Sequence, residues 1–292
     1  MGNFRHVFML TVNIIFLRTL IQPIISIRFK SMKTLSGSSL TVGTYTTRTA
    51  MGEAAAQNVV SELELALTKK PKLRVIFSCA PSQDEFLAAL VRLTKENNAL
   101  WKRIDIFHMD DYVGFTASNG QSFRSYLNQH LLNFIQPASF SPIQGEATDS
   151  YLEADRYGQL LGQAPIDLIA LGIGENGHIA FNDPPIANFN DPVNAKVVEI
   201  DQICRQQQVN DGCFPDLASV PKLAISITMP VFSRALSLSC VVPGKRKADA
   251  IKNTLTSPIG THCPATLLRN HQNVKLFIDT DSASQIPVGT LN

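Results

Sequence analysis

Residues 166–185, Ile-Asp-Leu-Ile-Ala-Leu-Gly-Ile-Gly-Glu-Asn-Gly-His-Ile-Ala-Phe-Asn-Asp-Pro-Pro, decide the fold. The opening run Ile166–Leu171 is short, apolar and closed by glycine, which predicts a buried strand rather than a helix. Gly172, Gly174 and Gly177 then permit a tight turn, and Asn182-Asp183-Pro184-Pro185 stops any helix that would open behind it. A strand that delivers a glycine turn and a polar cluster at its carboxyl end belongs to an open α/β sheet, where ligands bind beyond that end. Six further runs read as strands: Leu73–Ser78, Ile104–His108, Ala195–Ile200, Ala224–Thr228, Leu236–Val242 and Val274–Ile278. Between them, apolar spacings of three and four predict helices over Arg48–Thr68, Glu85–Glu96, Ser122–Phe134, Tyr151–Leu161 and Arg246–Thr254. The alternation predicts an α/β protein built on a single doubly wound, mostly parallel sheet with helices on both faces, a Rossmann-like arrangement. The longest irregular stretch, Asn182–Asn194, is rich in Pro and Asn and has the length of a site wall or lid.

The 292 residues, 45% hydrophobic and 17% charged, can bury a sizeable core and exclude disordered, collagenous and coiled-coil classes. Cys79, Cys204, Cys213, Cys240 and Cys263 are odd in number and never spaced C-x-x-C, so no disulfide framework or zinc site is expected. Buried free thiols in a reducing, cytoplasmic compartment are the expectation. The formal charge of +2 is misleading. No acid precedes Glu53, whereas Arg5, Arg18, Arg28, Lys30, Lys33 and Arg48 do; the remaining 20 basic residues face 24 acids, a net −4. An acidic body whose one dense basic cluster is Lys245-Arg246-Lys247 argues against nucleic acid as a partner. The apolar run Val7–Leu17 ends at Arg18, too short for a spanning helix, which argues against a membrane partner. A targeting segment, an anchor and an upstream extension ahead of Met32 all remain open. Residues 1–35 are therefore set apart as an N-terminal extension, and residues 36–292 are taken as the folded domain.

Four constellations carry chemistry. Gly172, Gly174 and Gly177 spell G-x-G-x-x-G, with Glu199 and Asp201 downstream, yet no helix follows and dinucleotide binding is rejected. The glycines instead turn backbone N–H groups toward a ligand, with Gly174 and Gly177 as contacts, and project His178, which Asp183 can orient as an acid–base group. A packing histidine is the bland alternative. Phe107-His108-Met109-Asp110-Asp111-Tyr112-Val113-Gly114 places two acids at a strand end: Asp110 is the candidate base for a carbon-bound proton, and Asp111 is either a ligand contact or a turn cap. Lys247, in Pro243-Gly-Lys-Arg-Lys-Ala248, opens a helix and can meet an anion, or simply be solvated. Ser82, in the loop after Leu73–Ser78, either touches ligand or forms a capping box with Glu85.

Taken together and in this order, the motifs resemble the glucosamine-6-phosphate deaminase/isomerase family, whose relatives include 6-phosphogluconolactonases. The resemblance runs from about Thr41 to about Ser282. LGIGENGHIAFNDP at 171–184 and MDDYVG at 109–114 carry most of it; VPKLAISI at 220–227, PGKRKA at 243–248 and CPATLL at 263–268 carry less. It implies that Asp110 moves the proton between C2 and C1 of an amino sugar. By the same resemblance His178 opens the ring, Asp183 stands where the family has Glu, and Asn176 holds a position that is Asp or Asn. Lys247 aligns with the phosphate lysine. The implied enzyme, of the hydrolase class, needs no metal and no cofactor; its partner is a small-molecule sugar phosphate, and a homo-oligomer is left open. The chain departs from the family at the phosphate end. Its loop is Cys79-Ala80-Pro81-Ser82 with Asp84 close behind, Arg205 is shifted in register, and Gln208 takes the aligned arginine place. A lactone hydrolase and a non-catalytic sugar-phosphate sensor are the alternatives; only a deaminase depends on Asp110.

Overall fold

A computed structural model of the chain describes residues 32–292. The readings of the apolar N-terminal run fall on residues 1–31 and lie outside the described residues. In chain order the strands are β1 (Lys33–Thr34), β2 (Leu40–Tyr45), β3 (Leu73–Phe77), β4 (Ile104–His108), β5 (Asp110–Tyr112), β6 (Ser139–Ser141), β7 (Leu168–Leu171), β8 (Ala195–Glu199), β9 (Leu223–Ile227), β10 (Leu238–Val242) and β11 (Val274–Asp279). The helices are α1 (Arg48–Leu67), α2 (Asp84–Thr94), α3 (Asn98–Trp101), α4 (Phe123–Leu127), α5 (Ser150–Gly162), α6 (Gln202–Asn210), α7 (Met229–Arg234) and α8 (Ala248–Thr256).

The main sheet runs β1-β2-β11-β10-β7-β3-β4-β6 and is parallel throughout except for the β1–β2 pair at its edge. Strand alternation divides the core. Val75 and Phe77 of β3 join the cluster formed with Met51, Val59 and Leu63 of α1 and Phe86 and Leu90 of α2. Ile76, between them, joins Tyr157 of α5, Phe232 of α7 and Ile251 of α8 on the opposite face. Helices therefore cover both faces, and the strands are buried on both sides, as a parallel sheet requires.

Two predicted strands, Ala195–Ile200 and Ala224–Thr228, do not enter this sheet. They form β8 and β9, which pair antiparallel with each other and with β5 in a second, three-stranded sheet. Ala195 and Val198 of β8 are buried while Glu199 is exposed, so this layer is only partly covered. Sequence reading missed β2, whose Leu-Thr-Val-Gly-Thr-Tyr looks polar although its Leu40, Val42 and Tyr45 are buried. It also set Lys33–Leu35 outside the domain, whereas Lys33 and Thr34 pair with Val42 and Thr41 and Leu35 is buried. Over 122–134 the helix is α4 followed by a π-helical turn at Asn128–Leu132.

The topology fixes where a ligand can sit. From β3 the sheet grows through β4 to β6, then the chain returns to β7 on the other side of β3 and continues to β10. The crevice beyond the carboxyl ends of β3, β7 and β10 lies at this reversal. β5, leaving β4 after one residue, is tied down beside it by Asp111. The Asp111 carboxylate, fully buried, accepts from the amides of Phe123 and Arg124, from the Ser122 hydroxyl and from Arg124 Nε at 3.1 Å. Arg124 is also buried and reaches Glu146 at 2.6 Å. Burial raises the Asp111 pKa while the Phe123 amide and Arg124 pull it down, and the net direction is upward. A carboxyl whose folded pKa is raised contributes stability below its unfolded pKa and loses it as pH climbs through the folded value. Arg124→Met removes one of the opposing pulls, and the variant should lose roughly 3–5 kcal/mol, as expected for a buried charge left unpaired. Urea midpoints should show the deficit largest at neutral pH and shrinking on acidification.

Candidate active site

Beyond β7 the glycine turn is built around one imidazole. The Gly174 amide donates to the His178 carbonyl at 2.9 Å and the Gly177 amide to the Gly174 carbonyl at 3.0 Å, closing a loop two residues wide. Gly177 has φ +84, the left-handed region open to glycine. Gly174 answers to a different constraint: a Cβ there would lie 2.1 Å from His178 Cε1, because the ring rests on its Cα. The loop also strains Ala180, at φ 49, and is clamped to β9 by Asn182, whose amide donates to the carbonyls of Ile179 and Ile227.

His178 Nδ1 faces two acceptors, Asn176 Oδ1 at 2.7 Å and Asp183 Oδ1 at 3.0 Å. Neither has a proton to give, so Nδ1 carries the hydrogen and Nε2 is left with its lone pair. Asp183 is fully buried and also accepts from Asn176 Nδ2 and the Asp201 amide. Burial alone would raise its pKa; the His178 charge and the hydrogen bonds from His178, Asn176 and Asp201 outweigh burial and hold it below the usual carboxylate range. Cys204 Sγ lies 3.8 Å from Nε2, its pKa pushed well up by burial, so it faces the ring as a protonated thiol. His178, Asp183 and Cys204 are the one cluster of three metal-ligating side chains among the described residues. The imidazole–carboxylate contact already occupies Nδ1.

Asp110 approaches from β5. Because successive strand residues point to opposite faces, Asp111 turns into the core and Asp110 turns into the cleft. Asp110 is 7% exposed, and burial first, then the neighbouring Asp111 charge, raise its pKa well above the ordinary value. His108 belongs to the fold: burial and Arg124 push it down to about 3, and its Nε2 accepts from the Ile143 amide at 2.8 Å.

The cleft, of about 60 Å³, is lined by Asp110, His178, Lys247, Ser82, Gln207 and Gln208 among others. Lys247 follows β10 in a 3-10 turn, and burial lowers its pKa against the pull of Asp211 and Glu175. Of the residues singled out in the sequence, Asp110, His178, Lys247, Ser82 and Gly174 line this cleft, with Asn176 and Asp183 behind the ring. Three expectations are corrected. Asp111 is a cap for α4, not a ligand contact. Arg205 is turned away, its guanidinium donating to the carbonyls of Leu217 and Val220 and pinning that loop. Gly177 lies against Cys263 and serves the turn's shape. The Ser82–Glu85 capping box does not form either: Glu85 pairs with Arg48 at 2.6 Å, and the Ser82 hydroxyl accepts from Gln83 Nε2. Asp84 sits outside the cleft, held by the Tyr126 hydroxyl at 2.6 Å. Sequence reasoning overlooked Gln207, Asn182 and Phe123. Gln207 accepts from the Glu175 amide and fastens α6 to the glycine loop, and Phe123 lines the wall.

Residues 46–277 match the family described as glucosamine-6-phosphate isomerases/6-phosphogluconolactonase. The chain belongs to this family. It is 37% identical over 186 residues to a glucosamine-6-phosphate deaminase of Listeria monocytogenes, covering 63% of this chain and 76% of that one. It is 32% identical over 231 residues to the Staphylococcus epidermidis deaminase, covering 77% and 92%. A solved monomeric glucosamine-6-phosphate deaminase superposes with a TM-score of 0.76 at 27% identity, covering 84% of this chain and 99% of that one. The 6-phosphogluconolactonase of Trypanosoma brucei, at 17% identity and a TM-score of 0.68 over 88% of this chain and 100% of that one, shares the fold. No helix among the described residues is long and apolar enough to cross a membrane.

Because the ring rests on Gly174, Gly174→Ala should push His178 off Asp183 while leaving the sheet intact. The Nδ1–H signal of His178 in 15N-edited NMR should disappear or shift strongly, with an unchanged far-UV circular dichroism spectrum.

Proposed function

We infer that the chain is an amino-sugar phosphate deaminase/isomerase that converts glucosamine 6-phosphate, or a close analogue with another ester at the far end, to the ketose and ammonia. The observation that carries this reading is a buried carboxylate, Asp110, sharing one cleft with an imidazole whose Nδ1 is fixed by Asp183 and Asn176.

The reaction consumes one water and releases one ammonia. His178 Nε2 moves the proton between the ring oxygen and the anomeric hydroxyl as the sugar opens. The Asp110 carboxylate then takes the proton from C2; the electron pair of that C–H bond forms the C1–C2 double bond of an enolamine while the C1=O π pair moves onto O1, which takes up a proton from the C2 ammonium. Return of the proton to C1 leaves an imine at C2, to which water adds before the C–N bond breaks. A raised pKa makes Asp110 a stronger base for a carbon acid than an ordinary aspartate, at the cost of lying protonated over a wider acid range. Asp183 keeps Nδ1 protonated and stabilises the imidazolium that forms transiently. Lys247, Ser82 and Gln208 hold the far end of the sugar, and the glycine loop supplies backbone contacts. Nothing in this sequence of steps calls for a metal or organic cofactor. The five free thiols, four of them buried, support a reducing, cytoplasmic setting.

Ammonia release from glucosamine 6-phosphate and its analogues tests the reading. Asp110→Asn should lower turnover by about 10²–10⁴-fold and His178→Ala comparably, the range general acid–base groups contribute. Lactone hydrolysis, which needs no carbon base, would survive Asp110→Asn. The acid limb of kcat/KM should lie above the ordinary carboxylate range, since activity requires ionised Asp110 and its pKa is raised. A limb at the usual aspartate value would remove Asp110 from the role of base.

A further inference from the structure

We propose that the cleft selects an amino sugar whose far end is a tetrahedral ester with a single negative charge, in chemical class a sulfate monoester, and that Gln208 sets this choice. The inference rests on the deaminase reading for what happens at the other end of the sugar.

The argument is one of charge and donor count. Among the described residues Lys247 is the only lysine or arginine lining the cleft. The neighbouring guanidinium groups are committed elsewhere: Arg205 to Leu217 and Val220, Arg246 to Glu175 and Asp211, Arg124 to Asp111 and Glu146. Lys247 itself is 94% buried by its 6% exposure, and no carboxylate among the described residues pairs with it. One buried cation balances one anionic charge. A phosphate monoester, with a second pKa near 6, brings between one and two charges at neutral pH. Its second charge would enter a low-dielectric cleft already holding Asp110, where an uncompensated anion is costly.

Gln208 fits the same count. It is 6% exposed, lines the cleft, and its amide finds no hydrogen-bond partner among the described residues. Its neighbour Gln207 is spent on Glu175 and Asp211, so the unpaired amide is a local property of Gln208. The Ser82 hydroxyl accepts from Gln83 Nε2, which leaves its own proton to donate into the cleft. Lys247, the Gln208 amide and the Ser82 hydroxyl are thus three donors with one positive charge between them. A sulfate monoester presents three acceptor oxygens, one charge and no proton at any physiological pH. An arginine at 208 would add both a second charge and a bidentate fork suited to a phosphate dianion.

Glucosamine 6-sulfate and glucosamine 6-phosphate have nearly the same shape and differ in charge, so they isolate the effect. At pH 8 calorimetric affinity and kcat/KM for ammonia release should favour the sulfate by about tenfold. The gap should close toward pH 5.5, where the phosphate takes up its second proton. Gln208→Arg should reverse the order at pH 8. A phosphate preference at pH 8 in the wild-type protein overturns the proposal and leaves the deaminase reading standing, as does an ester ranking that Gln208→Arg leaves unmoved. Should that variant fail to fold, the pH dependence of the wild-type ratio decides: a ratio flat from pH 5.5 to 8 overturns charge selection. Ammonia from neither ester, with the sulfate still bound more tightly, supports the charge selection and overturns the deaminase reading.

Discussion

The Asp183 carboxylate, buried from solvent, holds the site together. It accepts from His178, from Asn176 and from the Asp201 amide at the head of α6, so one group joins the glycine loop to the next element of the wall. A buried carboxylate is stable only when hydrogen bonds and an opposing charge replace its lost water, and here all three come from the segments it organises. The same contact fixes which imidazole nitrogen is free. Structure and protonation state therefore have a single cause, and the loop's glycines exist to let the ring reach it.

Adjacent residues are put to opposite uses by strand alternation. Asp110 and Asp111 are neighbours in sequence, yet one is a group in the cleft and the other a structural anion paired with buried Arg124. The anchoring role of Asp111 keeps β5 in place; its charge also contributes to the raised pKa of Asp110. Scaffold and chemistry are coupled through a distance of one residue, so a substitution at Asp111 would alter both.

The strands of the main sheet that carry the cleft were legible because each is a compact apolar run closed by a turn signal, and the helices because their spacing repeats. The second sheet was not legible as such: β8 and β9 look like any other short strands, and only long-range pairing assigns them a different layer. β5, Asp-Asp-Tyr, opens with two aspartates, a residue depleted in strands, and is too short for Tyr112 to offset them. At the site, Asp110, His178, Asp183 and Lys247 announced themselves by chemistry at strand ends. Arg205 misled because a positive charge near an anion site is indistinguishable in sequence from one that pins a loop. Asn182 and Gln207 went unnoticed because an amide's role is set by the carbonyls and amides it meets in three dimensions. The value of the glycines was visible, but the reason at Gly174, an imidazole lying on its Cα, was not.

The order of strands also bears on how the chain comes to hold its shape. β11, the last strand in sequence, lies inside the sheet, between β10 and β2. During synthesis β2 is made among the first and has no parallel partner until residues 274–279 emerge, more than two hundred residues later. Loops of that length close slowly, and the unpaired edges of β2 and β10 stay open to misassociation in the meantime. The cleft takes its cation, Lys247, from the turn after β10, so a fragment that ends before that turn lacks the charge whatever else it has formed.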